Sequence, residues 1–325
     1  MSRDDETAPA RDALLSDFRD AVVSGLSRDQ KEIPARYLYD RQGSELFERI
    51  TALPEYYPTR TEIGLIEAHS GEIAERVGRG RTVVEFGSGS SAKTPPFLKA
   101  VDAGAYVPID ISAAFLADAA ESVRAAVPGL AVHPLPGDFT NALDLPSEIA
   151  DTPKLGFFPG STIGNMTSAE AVDLLRAFKG TLGGDAHLVI GVDLKKDAAI
   201  LEPAYDDSEG VTAEFILGIL RRLEDDLDAD LRRGDWSYQS FWNDDVGRIE
   251  MHVRADTNTS VELDGKRWTV AKGETIHISN SHKYSLEESA LLARASGFRR
   301  ASAWTDANDL FSLQLWRALP SDLAW

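Results

Sequence analysis

The chain has 325 residues, 43% of them hydrophobic, enough to bury one large core or two modest ones. Its 34 basic and 53 acidic residues leave a formal charge of -19, which repels a phosphate backbone or an anionic bilayer, so neither a nucleic acid nor a membrane is expected as partner. The absence of cysteine excludes disulfides, thiolate metal sites and cysteine nucleophiles, and six histidines without an HExxH or comparable pair give a histidine-based metal site little support, so no metal is expected.

The opening MSRDDETAPARD is charged, lacks the apolar stretch of a secretory signal and reads as disordered. No later run approaches the ~20 apolar residues of a membrane span, and a cytoplasmic monomer is expected. Over residues 12–26, Leu14, Leu15, Phe18, Ala21, Val22 and Leu26 recur at helical spacing. The next stretch, YLYDRQGSELFERITALPEYYPTRTE, crowds Tyr37, Tyr39, Phe47, Tyr56 and Tyr57 together, while Pro54 and Pro58 prevent one continuous helix. Aromatics this dense pack a small core or line a cleft, and the core is the simpler reading.

A helix over 61–77 precedes alternating strands and helices: TVVEF, AYVPIDI, AVHPL, KLGFFPG and HLVIGVDL, with a helix over 113–126 among them. Short apolar strands separated by helical patterns predict a parallel sheet covered on both faces, a doubly wound α/β domain. Beyond residue 195 come an acidic helix, EFILGILRRLEDDLDADL, and alternating segments at RIEMHVRA and KRWTVAKGETIHIS, which read as a separate α+β unit. Ser285 and Glu288 form a capping box before a helix ending at Gly297, and FSLQLW closes the chain as a strand.

VVEFGSGSSAKT invites comparison with a phosphate loop, yet Ala92 stands where G-x-x-x-x-G-K-[ST] requires its second glycine. Glu85 at the strand end, with no evident metal partner, would oppose a triphosphate and suits a ligand bearing cationic and hydroxyl groups, as a structural or methionine-end contact and not as a base. Asp110 ends the next strand, where a doubly wound fold accepts hydrogen bonds from ribose hydroxyls. Asp138 and Phe139 follow the third strand, offering an acceptor for an adenine amine and a face for its ring. This order spells S-adenosylmethionine. A dinucleotide stays open, because the second-strand acid serves NAD equally, although GSGSS lacks the third glycine of G-x-G-x-x-G.

LPEYYPTRTE, GSGSSAKT, PGSTIGN, AYDDSEGVTAEF and RIEMHVRA together resemble the histidine-specific Nα-methyltransferases of ergothioneine biosynthesis, along nearly the whole length. The resemblance implies a class I (Rossmann-like) S-adenosylmethionine methyltransferase domain over residues 61–195 plus 285–325. It also implies an α+β substrate domain over 1–60 plus 196–284, with the cleft between them and a small-molecule aromatic amine or amino acid as partner. By position the cofactor residues are Gly87, Lys93, Asp110, Asp138 and Phe139. Tyr56, Asn165 and Tyr205 would hold the amino-acid end, with Gly160 nearby, and Tyr39, Phe47 and Met251 would line the side-chain pocket. Each has a plainer reading: Asn165 as a helix cap, Tyr205 as interface packing, Met251 as core. No general base is identified.

The chain departs from the family's T-E-x-S-x-K pattern: in HISNSHKY, Ser279 replaces the Glu that grips imidazole, while Ser281 and Lys283 keep their places. A charge-assisted hydrogen bond is typically worth ~1.5–3 kcal/mol, so a hydroxyl should hold imidazole poorly. Ile216 and Gly218 in FILG, where the family tends to F-N-x-N, and Tyr238 for His in WSYQSFWN point to a larger, less polar ring. Drift without consequence is the plain alternative. Indole-methylating relatives make an indole or other aromatic amine or amide, methylated on nitrogen or on an indole carbon, the preferred substrate over histidine, and a non-enzymatic nucleoside sensor is the third reading.

Overall fold

The computed structural model describes residues 8–88, 93–110 and 113–320, with side chains left aside at 8–11 and 113–115. The chain divides into two compact units, Met1–Tyr56 with Asp197–Ser281, and Tyr57–Lys196 with His282–Trp325. Among the described residues no helix is long and apolar enough to cross a membrane.

The first unit begins with α1 (Ala8–Leu26), β1 (Lys31–Glu32) and α2 (Arg41–Ala52). Thus α1 starts within the stretch expected to be disordered, with Pro9 in its first turn, where the missing N–H costs nothing. The chain then enters the second unit through α3 (Tyr57–Val77), β2 (Thr82–Phe86), α4 (Thr94–Ala100), β3 (Ala105–Asp110), α5 (Ala113–Ala126), β4 (Ala131–Val132), β5 (Leu135–Pro136), β6 (Lys154–Phe158), α6 (Ser168–Leu182) and β7 (His187–Asp193). It returns to the first unit for α7 (Ala198–Leu201), α8 (Val211–Leu227), β8 (Trp236–Asn243), β9 (Arg248–Ala255), β10 (Thr259–Leu263), β11 (Lys266–Val270) and β12 (Thr275–His282). The second unit ends with α9 (Leu286–Ala295), β13 (Phe298–Thr305) and β14 (Phe311–Ala318).

In the second unit the sheet runs β13-β14-β7-β6-β2-β3-β4, with β5 also on β3. Every pair from β7 to β4 is parallel, and β14 is antiparallel to both β7 and β13. Side chains of alternate parity feed two cores. Val84, Phe86, Ile109, Phe158 and Ile190 meet α6 and α9 on one face, and Val83, Leu155, Phe157 and Val189 meet α3 and α4 on the other. This double covering is why the strands read as continuous apolar runs. The order reverses between β2 and β6, so their carboxyl ends flank the crevice in which such folds bind ligands. The predicted AVHPL strand survives only as two short pairings, because Pro134 and Pro136 cannot donate to the ladder.

In the first unit a sheet of order β1-β12-β9-β8 stands beside the β10-β11 hairpin. The acidic helix α8 buries Thr212, Phe215, Ile216, Ile219, Leu220, Leu223 and Leu227, the three- and four-residue recurrence of a single apolar stripe.

Candidate active site

The carboxyl ends of β2, β3 and β5 gather four of the five expected cofactor residues. Gly87 follows β2 with φ +76, and its N–H donates to the Ile109 carbonyl at 2.9 Å. The Phe139 ring lies 3.5 Å from where a Cβ would stand on Gly87, so this glycine leaves room beside the ring. Phe139 is only partly buried and is braced edge-on by Phe158 at 6.5 Å, a wall suited to an adenine face. Asp110 ends β3, and its carbonyl accepts from Gly137 N, which sets the turn carrying Asp138 and Phe139 beside it. The Asp138 side chain is exposed but already accepts from Thr140 N at 3.0 Å and Thr140 Oγ1 at 2.7 Å through one oxygen, leaving the other carboxylate oxygen as the acceptor for a ligand. Ser88 Oγ, next in the chain after Gly87, is among the buried polar atoms without a hydrogen-bond partner among the described residues. These features fit an adenosyl group. Residues 89–92, the middle of GSGSSAKT and the Ala92 mismatch with them, lie outside the described residues.

Lys93, the fifth, is not poised for a phosphate. Its Nζ donates to Glu62 Oε2 at 2.5 Å, and Glu62 is fully buried on α3. The same carboxylate accepts from Gly160 N at 2.8 and 2.9 Å. Lys93 and Gly160, expected in different roles, are therefore tied through one residue that sequence reasoning overlooked. Gly160 has φ +83, and with its amide engaged by Glu62 it has its carbonyl and its lack of a side chain to offer a ligand.

Glu85 takes the structural one of its two expected roles. It is fully buried, accepts from Thr94 Oγ1 at 3.0 Å and from the Tyr106 hydroxyl, and burial pushes its carboxyl up to about 8. It therefore carries a proton at neutral pH and anchors the start of α4, and does not serve as an anion facing the ligand.

A second buried group stands at the end of β7. Asp193 accepts from the Tyr57 hydroxyl at 2.8 Å, from Lys196 Nζ at 2.7 Å and from Lys283 Nζ at 2.6 Å, while its N–H donates to Ser161 Oγ. Burial pushes the Lys196 amine down to about 8, against the pull of Asp193, and holds that of Lys283 below its usual range. Asn165 is exposed at the end of a 3₁₀ turn, and the helix that follows is capped by Thr167, whose hydroxyl accepts from Glu170 N. Asn165 is thus released from the capping role that was its plainer reading. Gly164 beside it is obligatory, since a Cβ there would meet the His282 carbonyl at 2.8 Å.

In the first unit, Tyr56, Tyr205 and Ser281 come together. The Tyr205 hydroxyl and Ser281 Oγ are 2.8 Å apart, and the Tyr56 ring meets Tyr205 edge-on at 6.1 Å. Tyr238 donates its hydroxyl to the Tyr205 carbonyl at 2.5 Å, so the residue expected to enlarge the ring pocket positions Tyr205 through its backbone. Tyr39 meets Phe47 at 5.7 Å and Phe215 at 5.4 Å, both edge-to-face, and Phe47 and Phe215 are tilted together at 6.0 Å. Phe215 was missed, although it closes the quoted AYDDSEGVTAEF. The aromatic stretch divides: Tyr37 and Tyr57 are core, whereas Tyr39 is 42% exposed. Met251 is buried on the strand face it shares with Ile249 and Val253. Ser279 is partly buried on β12, two residues before Ser281.

Ile216 is a fully buried core residue of α8, not a pocket wall. Gly218 lines a cavity of about 500 Å³ with Leu38, Asp40, Leu46, Phe215 and Arg221, a lining that includes none of the expected substrate residues. Of these departures Ser279 alone favours a larger ring.

Comparison with known proteins adds a common identity to this geometry. The model of a family described as "Histidine-specific methyltransferase, SAM-dependent" matches residues 18–318. Histidine N-alpha-methyltransferase of Mycobacterium tuberculosis is 37% identical over 305 residues, covering 92% of this chain and 94% of that protein. The protein of the same name from Mycolicibacterium smegmatis is 36% identical, covering 94% and 96%. A 4-dimethylallyltryptophan N-methyltransferase of Epichloe festucae var. lolii is 27% identical over 331 residues, covering 91% and 94%.

Proposed function

From the premise that this chain belongs to the family of histidine-specific, S-adenosylmethionine-dependent methyltransferases, we propose that it methylates the nitrogen of a small aromatic amine or amino acid carrying an indole in place of an imidazole. The observation that carries this reading is Ser279: a neutral hydroxyl stands on β12 where the family pattern places a carboxylate, while Ser281 two residues on remains bonded to Tyr205. Amino-acid recognition is retained and ring recognition is changed. The likeness to a 4-dimethylallyltryptophan N-methyltransferase supports an indole acceptor.

The cosubstrate, when bound, supplies an electrophilic methyl group on a sulfonium centre. Gly87, Asp110, Asp138 and Phe139 would hold its nucleoside, with Lys93 and Glu62 fixing the end of the loop between β2 and α4. In the first unit Tyr56, Tyr205 and Ser281 would hold the amino-acid end of the acceptor, and Tyr39, Phe47 and Phe215 would supply apolar surface for its ring. The paired hydroxyls of Tyr205 and Ser281 can accept hydrogen bonds from an amine and orient its lone pair. That is the contribution such a transfer needs from the protein, because alignment of donor and acceptor within ~3–3.5 Å removes several kcal/mol of barrier.

A second reading, histidine as acceptor, is favoured by 37% identity to a histidine N-alpha-methyltransferase across nearly the whole chain. Methyl transfer followed by mass spectrometry with histidine, tryptophan and tryptamine separates the two. Turnover of an indole amine with little turnover of histidine is expected, and Ser279→Glu should shift preference toward histidine by about tenfold or more, the worth of one charge-assisted bond. Efficient, saturable methylation of histidine by the unaltered enzyme would reject the indole assignment.

A further inference from the structure

In the first unit the neighbouring strands β9 and β12 bring together three potential metal ligands that no linear motif announces. Glu250 and His252 are two apart on β9 and share one face, and His277 joins them from β12. Their ligand atoms all lie within 4.8 Å of one another, with Glu250 and His252 buried.

From this geometry we infer that Glu250, His252 and His277 form a binding site for a divalent transition-metal ion of the zinc class, clipping β9 to β12. His252 Nε2 is 3.1 Å from Glu250 Oε2, close to the edge of roughly 3.3 Å between ligands of a tetrahedral ion about 2.0 Å from each. Each imidazole has its other nitrogen occupied by a neutral oxygen. His252 Nδ1 lies 3.1 Å from Thr275 Oγ1, and His277 Nε2 lies 2.8 Å from Asn280 Oδ1. An amide oxygen only accepts, so the neutral tautomer of His277 that pairs with Asn280 has its N–H at Nε2 and its lone pair at Nδ1. With the His252 proton on Nδ1 toward Thr275, both lone pairs and one carboxylate oxygen become available, the outer-sphere pattern that orients metal-bound histidines.

His252 is stacked between Phe241 at 5.4 Å and His277 at 4.7 Å, so binding turns one imidazole about its Cβ–Cγ bond to bring the two in-plane lone pairs onto one ion. Arg248 and Asn243 both engage Glu250 Oε1, which leaves Oε2 as a single-oxygen ligand and water as the fourth. Two imidazoles with one carboxylate select zinc, cobalt or nickel over magnesium or calcium, which prefer all-oxygen sets. A proton between His252 Nε2 and Glu250 Oε2 would satisfy that pair without a metal. It would leave the His277 lone pair unused, and this is where the two accounts differ.

The test uses tag-free full-length protein, stripped with EDTA and exchanged into metal-free buffer. Titration with ZnCl2 should show one saturable equivalent, CoCl2 should give a visible absorption band of a low-coordinate site, and His277→Gln and His252→Gln should each weaken zinc binding at least tenfold. His133→Gln serves as control and should bind as the unaltered protein does. Because a core variant can fail to fold, ring-nitrogen NMR of the unaltered protein supplies an independent measurement, and zinc should move the resonances of two histidines only. No saturable binding, equal binding by the variants, or shifts spread over the other histidines would overturn the assignment.

Discussion

Glu85 carries its carboxyl into a site that excludes water, where Thr94 and Tyr106 donate to it and burial pushes it up to about 8 from an ordinary 4.5. The folded protein therefore retains a proton between these values that the unfolded chain has lost. The resulting stabilisation is complete below about 4.5 and disappears as pH rises through about 8. Glu85→Gln removes the titration while keeping an acceptor for both hydroxyls. In melting curves across that window the variant should gain on the unaltered protein as pH rises, and a constant difference from pH 5 to 9 would mean that Glu85 does not titrate there. Tyr238 acts at one remove, through the carbonyl of Tyr205. Tyr238→Phe leaves that carbonyl short of a partner, a cost of about 1–3 kcal/mol. Steady-state kinetics should show a raised acceptor KM, with affinity for S-adenosylhomocysteine, measured by calorimetry, unchanged. Weakening of both affinities alike would make Tyr238 a general stabiliser and not a positioning residue.

At the level of elements, α4 decides how the loop before it is held. Thr94 is its first residue and is buried, with its hydroxyl on Glu85; Lys93, just before it, is tied to Glu62 on α3. Thr94→Val keeps the shape and deletes the donor, so Glu85 loses a partner and the start of the helix loses its tether to β2. Weaker S-adenosylhomocysteine binding by roughly five- to tenfold is expected, with a stability loss of about 1–3 kcal/mol. Calorimetry together with a urea melt reads both, and intact affinity in a destabilised variant would separate the helix start from the cofactor site. The parallel strands were legible because a doubly covered sheet demands unbroken apolar runs such as TVVEF and HLVIGVDL, and α9 was legible from its capping box, whose reciprocal bonds both form. The strand β13 was not, because FRRASAWT lies at the sheet edge and carries two arginines. Gly87, Asp110 and Phe139 could be placed from the sequence because strand ends and turns announce themselves. Glu62 could not, since its partners stand 31 residues away at Lys93 and 98 away at Gly160, and nothing in the helix pattern of α3 marks it. The histidine cluster escaped for a similar reason: Glu250 and His252 meet His277 only across a strand pair.

For the whole molecule the deciding quantity is the excess of 53 acidic over 34 basic residues. Many of the ion pairs are exposed, Arg41 with Glu45 and Arg76 with Glu72 among them, and such pairs are worth about 0–1 kcal/mol each and weaken with salt. Self-repulsion among the surplus carboxylates acts in the opposite direction and is screened by the same salt, because the Debye length falls from about 10 Å at 0.1 M to about 3 Å at 1 M. Loss of weak pairs and relief of repulsion therefore compete, and a formal charge of -19 makes relief the larger effect. The Tm should rise as sodium chloride increases from 0.02 to about 0.5 M, where screening changes most. Sucrose at equal osmolality controls for preferential exclusion, and the gain should shrink at pH 5 as carboxylates begin to protonate. A Tm that falls with salt would place the exposed ion pairs above the net charge in setting the stability of this protein.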